Sequence, residues 1–240
     1  MDLEAIVLYQ VDYRDSSKIL YLYSKQGHHN VLAHGVKKMN STTRFLSQIG
    51  NVISLSIPLN KELPAMKDGE LVADFPAIIS DVIAYSYLTH ILELVRHTVS
   101  ADLDHVKMYR FLRKILDRLN EGTDPETLTF LFELKLLYFL GHGLHLTGCT
   151  MCDERDDLVF HISSGGLVCR HHLHPTDTMY DTGVYTQLMT LYYLDLDKTD
   201  IPAIDANDRV ILRHIIDLLY SEFVGYQSKS RSILKQLKKY

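Results

Sequence analysis

All three cysteines of the chain fall in one short window, as Cys149-Thr-Met-Cys152 and then Cys169-Arg-His-His172. The resulting C-x2-C-x16-C-x2-H pattern has the spacing of a metal site. Two intervening residues let a tight knuckle turn both ligands toward one ion, and a second knuckle completes a tetrahedron of thiolate and imidazole donors. Zinc is the expected ion. Four protein ligands leave no open position for water or substrate, so its expected role is structural. His171 and His174 flank His172, and the fourth ligand is open among these three. An odd number of cysteines in one window makes a poor disulfide framework. The competing reading, three cysteines packed as small hydrophobes, fits badly with polar neighbours such as Cys152-Asp-Glu-Arg.

No motif for covalent chemistry accompanies this group. The H-x-E of zinc deaminases, the H-E-x-x-H of zinc proteases and the P-loop are all missing. His97, Asp102, Asp104 and His105 lack motif spacing and read as surface charge at a helix end. The expectation is a protein that is not an enzyme.

A second set of residues suits anion binding. His34-Gly-Val-Lys37-Lys38-Met-Asn40-Ser41-Thr-Thr43-Arg44 places three cations among hydroxyl and amide donors. Lys37, Lys38 and Arg44 could meet phosphates, with Asn40, Ser41 and Thr43 as neutral donors. Near the end of the sequence Lys229, Arg231, Lys235, Lys238 and Lys239 follow the last acid, Glu222; such charge also complements a helix C-terminus. Tyr9, Tyr13, Tyr21 and Tyr23 could offer rings to bases, although aromatic residues at strand period mostly pack a sheet.

These residues need elements to hold them. From Ile6 to about Leu59 short β-rich runs alternate: Val7, Tyr9, Val11 and Tyr13 on one side, then Ile19, Tyr21 and Tyr23 in the next run. A polar turn, Lys25-Gln-Gly-His-His-Asn30, separates the second run from the third. Several short, closely spaced strands point to a small five-stranded barrel of the OB type. After Pro76 the period becomes helical, through Ile79–Val95 with Ser80 or Asp81 as cap, Val106–Leu119, and a third helix opened by Asp124-Pro125-Glu126 and ended by Gly141 and Gly143. Residues 147–175 hold the cysteines and have too little apolar content to fold without a staple. Helical spacing returns over Val184–Leu194 and Asp208–Val224. The expected fold is α+β: an N-terminal OB-fold β-barrel over 1–79, then an α-helical domain over 80–240 with an inserted zinc-binding module.

Composition sets the outer limits. The 240 residues, 46% of them hydrophobic, can bury a real core. With 25 Lys plus Arg against 30 Asp plus Glu, any polyanion must be met by a local patch. No apolar run reaches the roughly 18 residues of a membrane span, and the start lacks a signal peptide pattern, so a cytoplasmic protein is expected.

Four segments in order give the chain a likeness beyond these patterns. They are Ala5-Ile-Val-Leu8 with Tyr13-Arg-Asp-Ser-Ser-Lys-Ile-Leu20; Val31-Leu-Ala-His-Gly-Val-Lys-Lys38 with Ser41; Ser164-Gly-Gly-Leu-Val-Cys169; and Gly225-Tyr-Gln-Ser-Lys-Ser-Arg231. Together they resemble the RecO family of bacterial DNA-repair mediators. The resemblance implies an amino-terminal OB-fold, a helical carboxy-terminal domain and a zinc ribbon-like insertion. It implies binding of single- and double-stranded DNA, annealing of complementary strands, and action with RecR to load RecA onto DNA covered by single-strand-binding protein at the nucleoid. The positions it carries over are Lys37, Lys38 and Arg44 for DNA, Lys229 and Arg231 as further contacts, and Cys149, Cys152, Cys169 and His172 for zinc. Many relatives end the second knuckle with cysteine where this chain has His172. The alternative is a zinc-stapled scaffold whose partners are proteins alone.

Overall fold

The structure is a computed structural model that describes residues 2–38, 41–58, 61–174 and 182–237. Met39, Asn40, Leu59, Lys238 and Lys239, named above, and residue 175 at the end of the cysteine segment lie outside the described residues. The chain forms two compact units, one of residues 1–123 with 228–240 and the other of residues 124–227.

The first unit is built on a five-stranded antiparallel sheet. Its strands are β1 (Asp2–Tyr13), β2 (Ser17–Ser24), β3 (Gly27–Ala33), β4 (Val52–Ser56) and β5 (Gly69–Ala73), in the order β3-β2-β1-β4-β5. This is OB-like but not the closed barrel expected. Among the described residues, β3 bridges to the β4–β5 connection at one point, Leu32 to Ala65 in parallel, with Leu32 N–H donating to Pro64 O and Met66 N–H to Leu32 O. Pro58 and Pro64 in the β4–β5 connection lack the N–H that a longer ladder needs. Leu3, Ala5, Val7, Leu20, Leu22, Val31, Ile53 and Leu55 fill the inner face.

A bulge in β1 alters the expected alternation. Val7 pairs with Leu22 but Tyr9 with Tyr21, so Leu8 is the extra residue. Val7 keeps its place in the core, whereas Tyr9, Val11 and Tyr13 move to the opposite face with Tyr21 and Ile19. Gln10 and Asp12, opposite Leu20 and Lys18, now continue the inner face toward its open end.

The helices α1 (Thr42–Leu46), α2 (Pro76–Ser80), α3 (Val82–Thr98) and α4 (His105–Asn120) complete this unit together with α8 (Lys229–Leu237). Asp81 caps α3 by accepting from the Ile83 and Ala84 N–H groups, and Asp104 caps α4 through Lys107 N–H. Tyr23 is fully buried; His105 donates from Nε2 to Ala101 O at 3.2 Å, which leaves Nδ1 to accept the Tyr23 hydroxyl at 3.0 Å. Asp104 and His105, set aside as scattered charge, are thus a cap and a core contact.

The second unit packs α5 (Pro125–Phe139), α6 (Thr182–Tyr193) and α7 (Ala206–Leu219) pairwise, and α7 runs on into a π-helical turn over Tyr220–Val224. The helix α5 is buried nearly all round, as its continuous apolar run requires. Within it Glu133 is 2% exposed and pairs with Arg213 of α7, which also meets Asp217 at 2.9 Å. Removing one partner of such a buried pair typically costs about 3–5 kcal/mol. Between α5 and α6 lies a small sheet of β6 (His145–Cys149), β7 (Leu158–His161) and β8 (Gly166–Cys169), in the order β6-β8-β7.

Candidate metal centre and nucleic-acid surface

The small sheet sets the cysteines. Cys149 ends β6, Cys169 ends β8, and the 3-10 turn Arg170–His172 brings His172 back over them. The two strands can approach because residue 166 is glycine: a Cβ there would sit 2.3 Å from His145 O. Gly165 supplies the left-handed turn before it, with φ +58°.

The four ligand atoms of Cys149, Cys152, Cys169 and His172 lie within 4.8 Å of one another. Cys152 Sγ is 3.8 Å from Cys169 Sγ, and His172 Nδ1 is 3.6 Å from Cys149 Sγ and 3.2 Å from Cys169 Sγ. Tetrahedral Zn–S bonds of about 2.3 Å would place sulfurs about 3.8 Å apart. The grouping could hold a metal ion, and His172 is the histidine in it.

The protein also prepares the donors. Burial raises the Cys149 thiol, but N–H groups of Cys169, Met151 and Cys152 point at its sulfur and bring its pKa down to about 6. Met151 and Cys169 donate at 3.4 Å each. The Glu154 N–H lowers Cys152, yet burial and the neighbouring sulfurs leave it raised. Three thiolates this close repel one another, and a cation at their centre removes that conflict.

The basic loop folds into one wall of an open cleft of about 620 Å³ in the first unit. Lys37, Ser41 and Arg44 line it as the sequence suggested, joined by Lys18 and Gln10 from the inner face and by Phe45, Ser47 and Gln48. Lys38 is exposed and does not line it. Thr43 instead holds the loop, its hydroxyl 2.6 Å from Ser41 Oγ. Lys18 donates to Gln10 Oε1 at 3.0 Å, and the Asp12 carboxylate lies 2.6 Å from Lys37 Nζ. That bond to Lys37 holds the Asp12 carboxyl below its ordinary range.

The tyrosines are mostly spoken for. Tyr23 is buried, Arg96 stacks over Tyr9 and Tyr21 at 4.2 and 4.9 Å, and Arg14 lies 5.2 Å from the Tyr13 ring. Phe45 is different, at 49% exposed.

The closing segment has a structural use that its basic residues did not reveal. Glu93 of α3 accepts the N–H of Lys229 at 2.7 Å and of Ser230 at 2.9 Å, and the Ser228 hydroxyl at 3.1 Å. His90 Nδ1 meets Ser228 Oγ at 2.8 Å. This clips α8 to α3, and Gly225, with φ +66°, makes the preceding turn. Lys229 and Arg231 thus sit in a docking clip and are not among the residues that line the cleft.

The chain thus combines an OB-like sheet with a cationic cleft and a helical unit carrying a Cys3His group. The chain belongs to the RecO family: residues 1–75 match the model of the recombination protein O N terminal and residues 79–232 that of its C terminal. It is 27% identical to the DNA repair protein RecO of Bacillus cytotoxicus, over 99% of this chain and 97% of that one. Identity to the DNA repair protein RecO of Bacillus mycoides is 26%, and to that of Bacillus cereus 27%, with the same coverage. Among the described residues no helix is long and apolar enough to cross a membrane.

Proposed function

We propose that this RecO-family DNA-repair protein works as a cytoplasmic, nucleoid-associated recombination mediator without covalent chemistry. It binds single- and double-stranded DNA, anneals complementary strands, and with RecR helps load RecA onto DNA covered by single-strand-binding protein. The observation that carries the reading is the cleft. In a chain with a formal net charge of −5, Lys18, Lys37 and Arg44 converge on one concave surface beside hydroxyl and amide donors. Such a surface neutralises phosphates and positions a strand without reading its sequence. Two strands held there lose much of their mutual repulsion, which is what annealing requires.

Zinc is the ion that suits three thiolates and an imidazole, and Cys149, Cys152, Cys169 and His172 would hold it. With all four positions taken by protein it supplies folding energy to the β6–β8 module. Lys229 and Arg231 enter the DNA reading only as secondary phosphate contacts.

The test is annealing of complementary labelled oligonucleotides coated with single-strand-binding protein, over a salt series. The wild type should accelerate pairing, and steeply less so as salt rises. Lys37→Ala/Arg44→Ala should lose the acceleration and lower the salt slope by about 2, one per phosphate contact. A wild type that neither binds nor anneals would favour the protein-only scaffold.

A further inference from the structure

We infer that Phe45 is the residue that distinguishes a single strand from a duplex, by stacking an unpaired base in the cleft. The inference rests on the DNA reading of that cleft and adds to it the form of nucleic acid the cleft prefers.

Tyr23 is buried, and Tyr9, Tyr21 and Tyr13 each have a guanidinium over them. Phe75 has Arg113 at 5.4 Å. Among the described residues, neither a ring nor a cation stacks on Phe45, and the side chain is half exposed in water.

Its backbone is nevertheless held. The Phe45 carbonyl accepts from the Asn51 side-chain amide at 2.9 Å and from Gln48 N–H at 3.2 Å, and Asn51 is itself 1% exposed. The next residue, Leu46, is in the core. The ring is thus an exposed apolar surface on a fixed support, in a cleft whose other walls carry Lys18, Lys37 and Arg44. A free apolar ring set among phosphate-binding cations matches a nucleotide whose base is accessible. In the interior of a duplex both faces of each base are already stacked, so only the cations are of use there.

The chain contains no tryptophan, which makes the test direct. Phe45→Trp introduces a single indole whose fluorescence a stacked base quenches. Short oligo-dT, the same oligomer with abasic sites, and a blunt duplex are titrated against Phe45→Trp, and their affinities are compared between wild type and Phe45→Ala. Quenching by oligo-dT alone, with a loss of about tenfold in Phe45→Ala for oligo-dT and little change for the other two, is the expected result. If all three ligands bind the wild type but none quenches, and Phe45→Ala binds oligo-dT as the wild type does, the stacking role is overturned and DNA binding stands. If the wild type binds no DNA at low salt, both readings fall together. Because Phe45 is exposed, the substitutions leave the core intact, which a matching thermal melt verifies.

Discussion

Asp12 forms an ion pair with the cleft residue Lys37, carboxylate to ammonium at 2.6 Å, with Lys18 4.0 Å from the other carboxylate oxygen. The bulge in β1 is what brings Asp12 there. An acid in this place competes with phosphate for the same cation. Asp12→Asn should therefore raise affinity for DNA at low salt, by about two- to fivefold given what an exposed ion pair contributes. Fluorescence anisotropy with a labelled oligonucleotide measures it; a lower affinity would mean that Asp12 orients Lys37 rather than occupying it.

Glu93 should anchor the far end of the described chain. Glu93→Ala removes a charged acceptor from two N–H groups and two hydroxyls, at a cost of about 1–3 kcal/mol. Faster hydrogen exchange across α8 and earlier tryptic cleavage after Lys229 and Arg231 are expected. Glu93→Gln should lie between it and the wild type.

For the metal centre, elemental analysis should find one zinc per chain, lost in Cys169→Ser. His172→Ala should bind the ion more weakly, whereas His171→Ala and His174→Ala should retain it. Chelation should expose the β6–β8 module to protease at Arg155 and Arg170, both at the surface. A chain that stays equally resistant after metal removal would make the module self-sufficient.

The first unit should weaken in acid. Burial holds the His28 and His29 imidazoles below their ordinary pKa; the Val99 carbonyl opposes this at His28, while His105 reinforces it at both. A lowered folded-state pKa means that the unfolded chain binds protons first. The contribution is complete above the unfolded value of about 6.5 and is lost as pH falls through the lower folded values. Melting temperature should fall between pH 7 and 5, and less so in His28→Asn. A pH-independent melt in that window would contradict the assignment.

Much of the metal centre was legible because spacing alone constrains ligands; Cys149, Cys152 and Cys169 needed no tertiary knowledge. The fourth ligand did, since the 3-10 turn after Cys169 selects His172 from three neighbouring histidines. The helices α3 to α7 and the first strands were legible from their periods and from Asp81 and Asp124 as caps, whereas the short α1 and α2 and the closing α8 were not. The cleft was half legible. Lys37 stands in a turn and Arg44 in the short α1, where charge shows, but Lys18 and Gln10 lie in strands, and Gln10 faces the cleft only because one inserted residue, Leu8, exchanges the faces of β1. Phe45 gave no signal, because only the fold shows that Leu46 turns into the core and Phe45 outward. Glu93 gave no signal, being one more polar position on an amphipathic helix.

The clip between α8 and α3 also bears on synthesis. The first unit draws on two stretches of chain, with the whole second unit encoded between them. On the ribosome its sheet and early helices emerge long before the segment that completes them. Until then the Glu93 carboxylate and the faces of α3 that receive α8 stand open, a stage at which a chaperone or a second nascent chain could engage them.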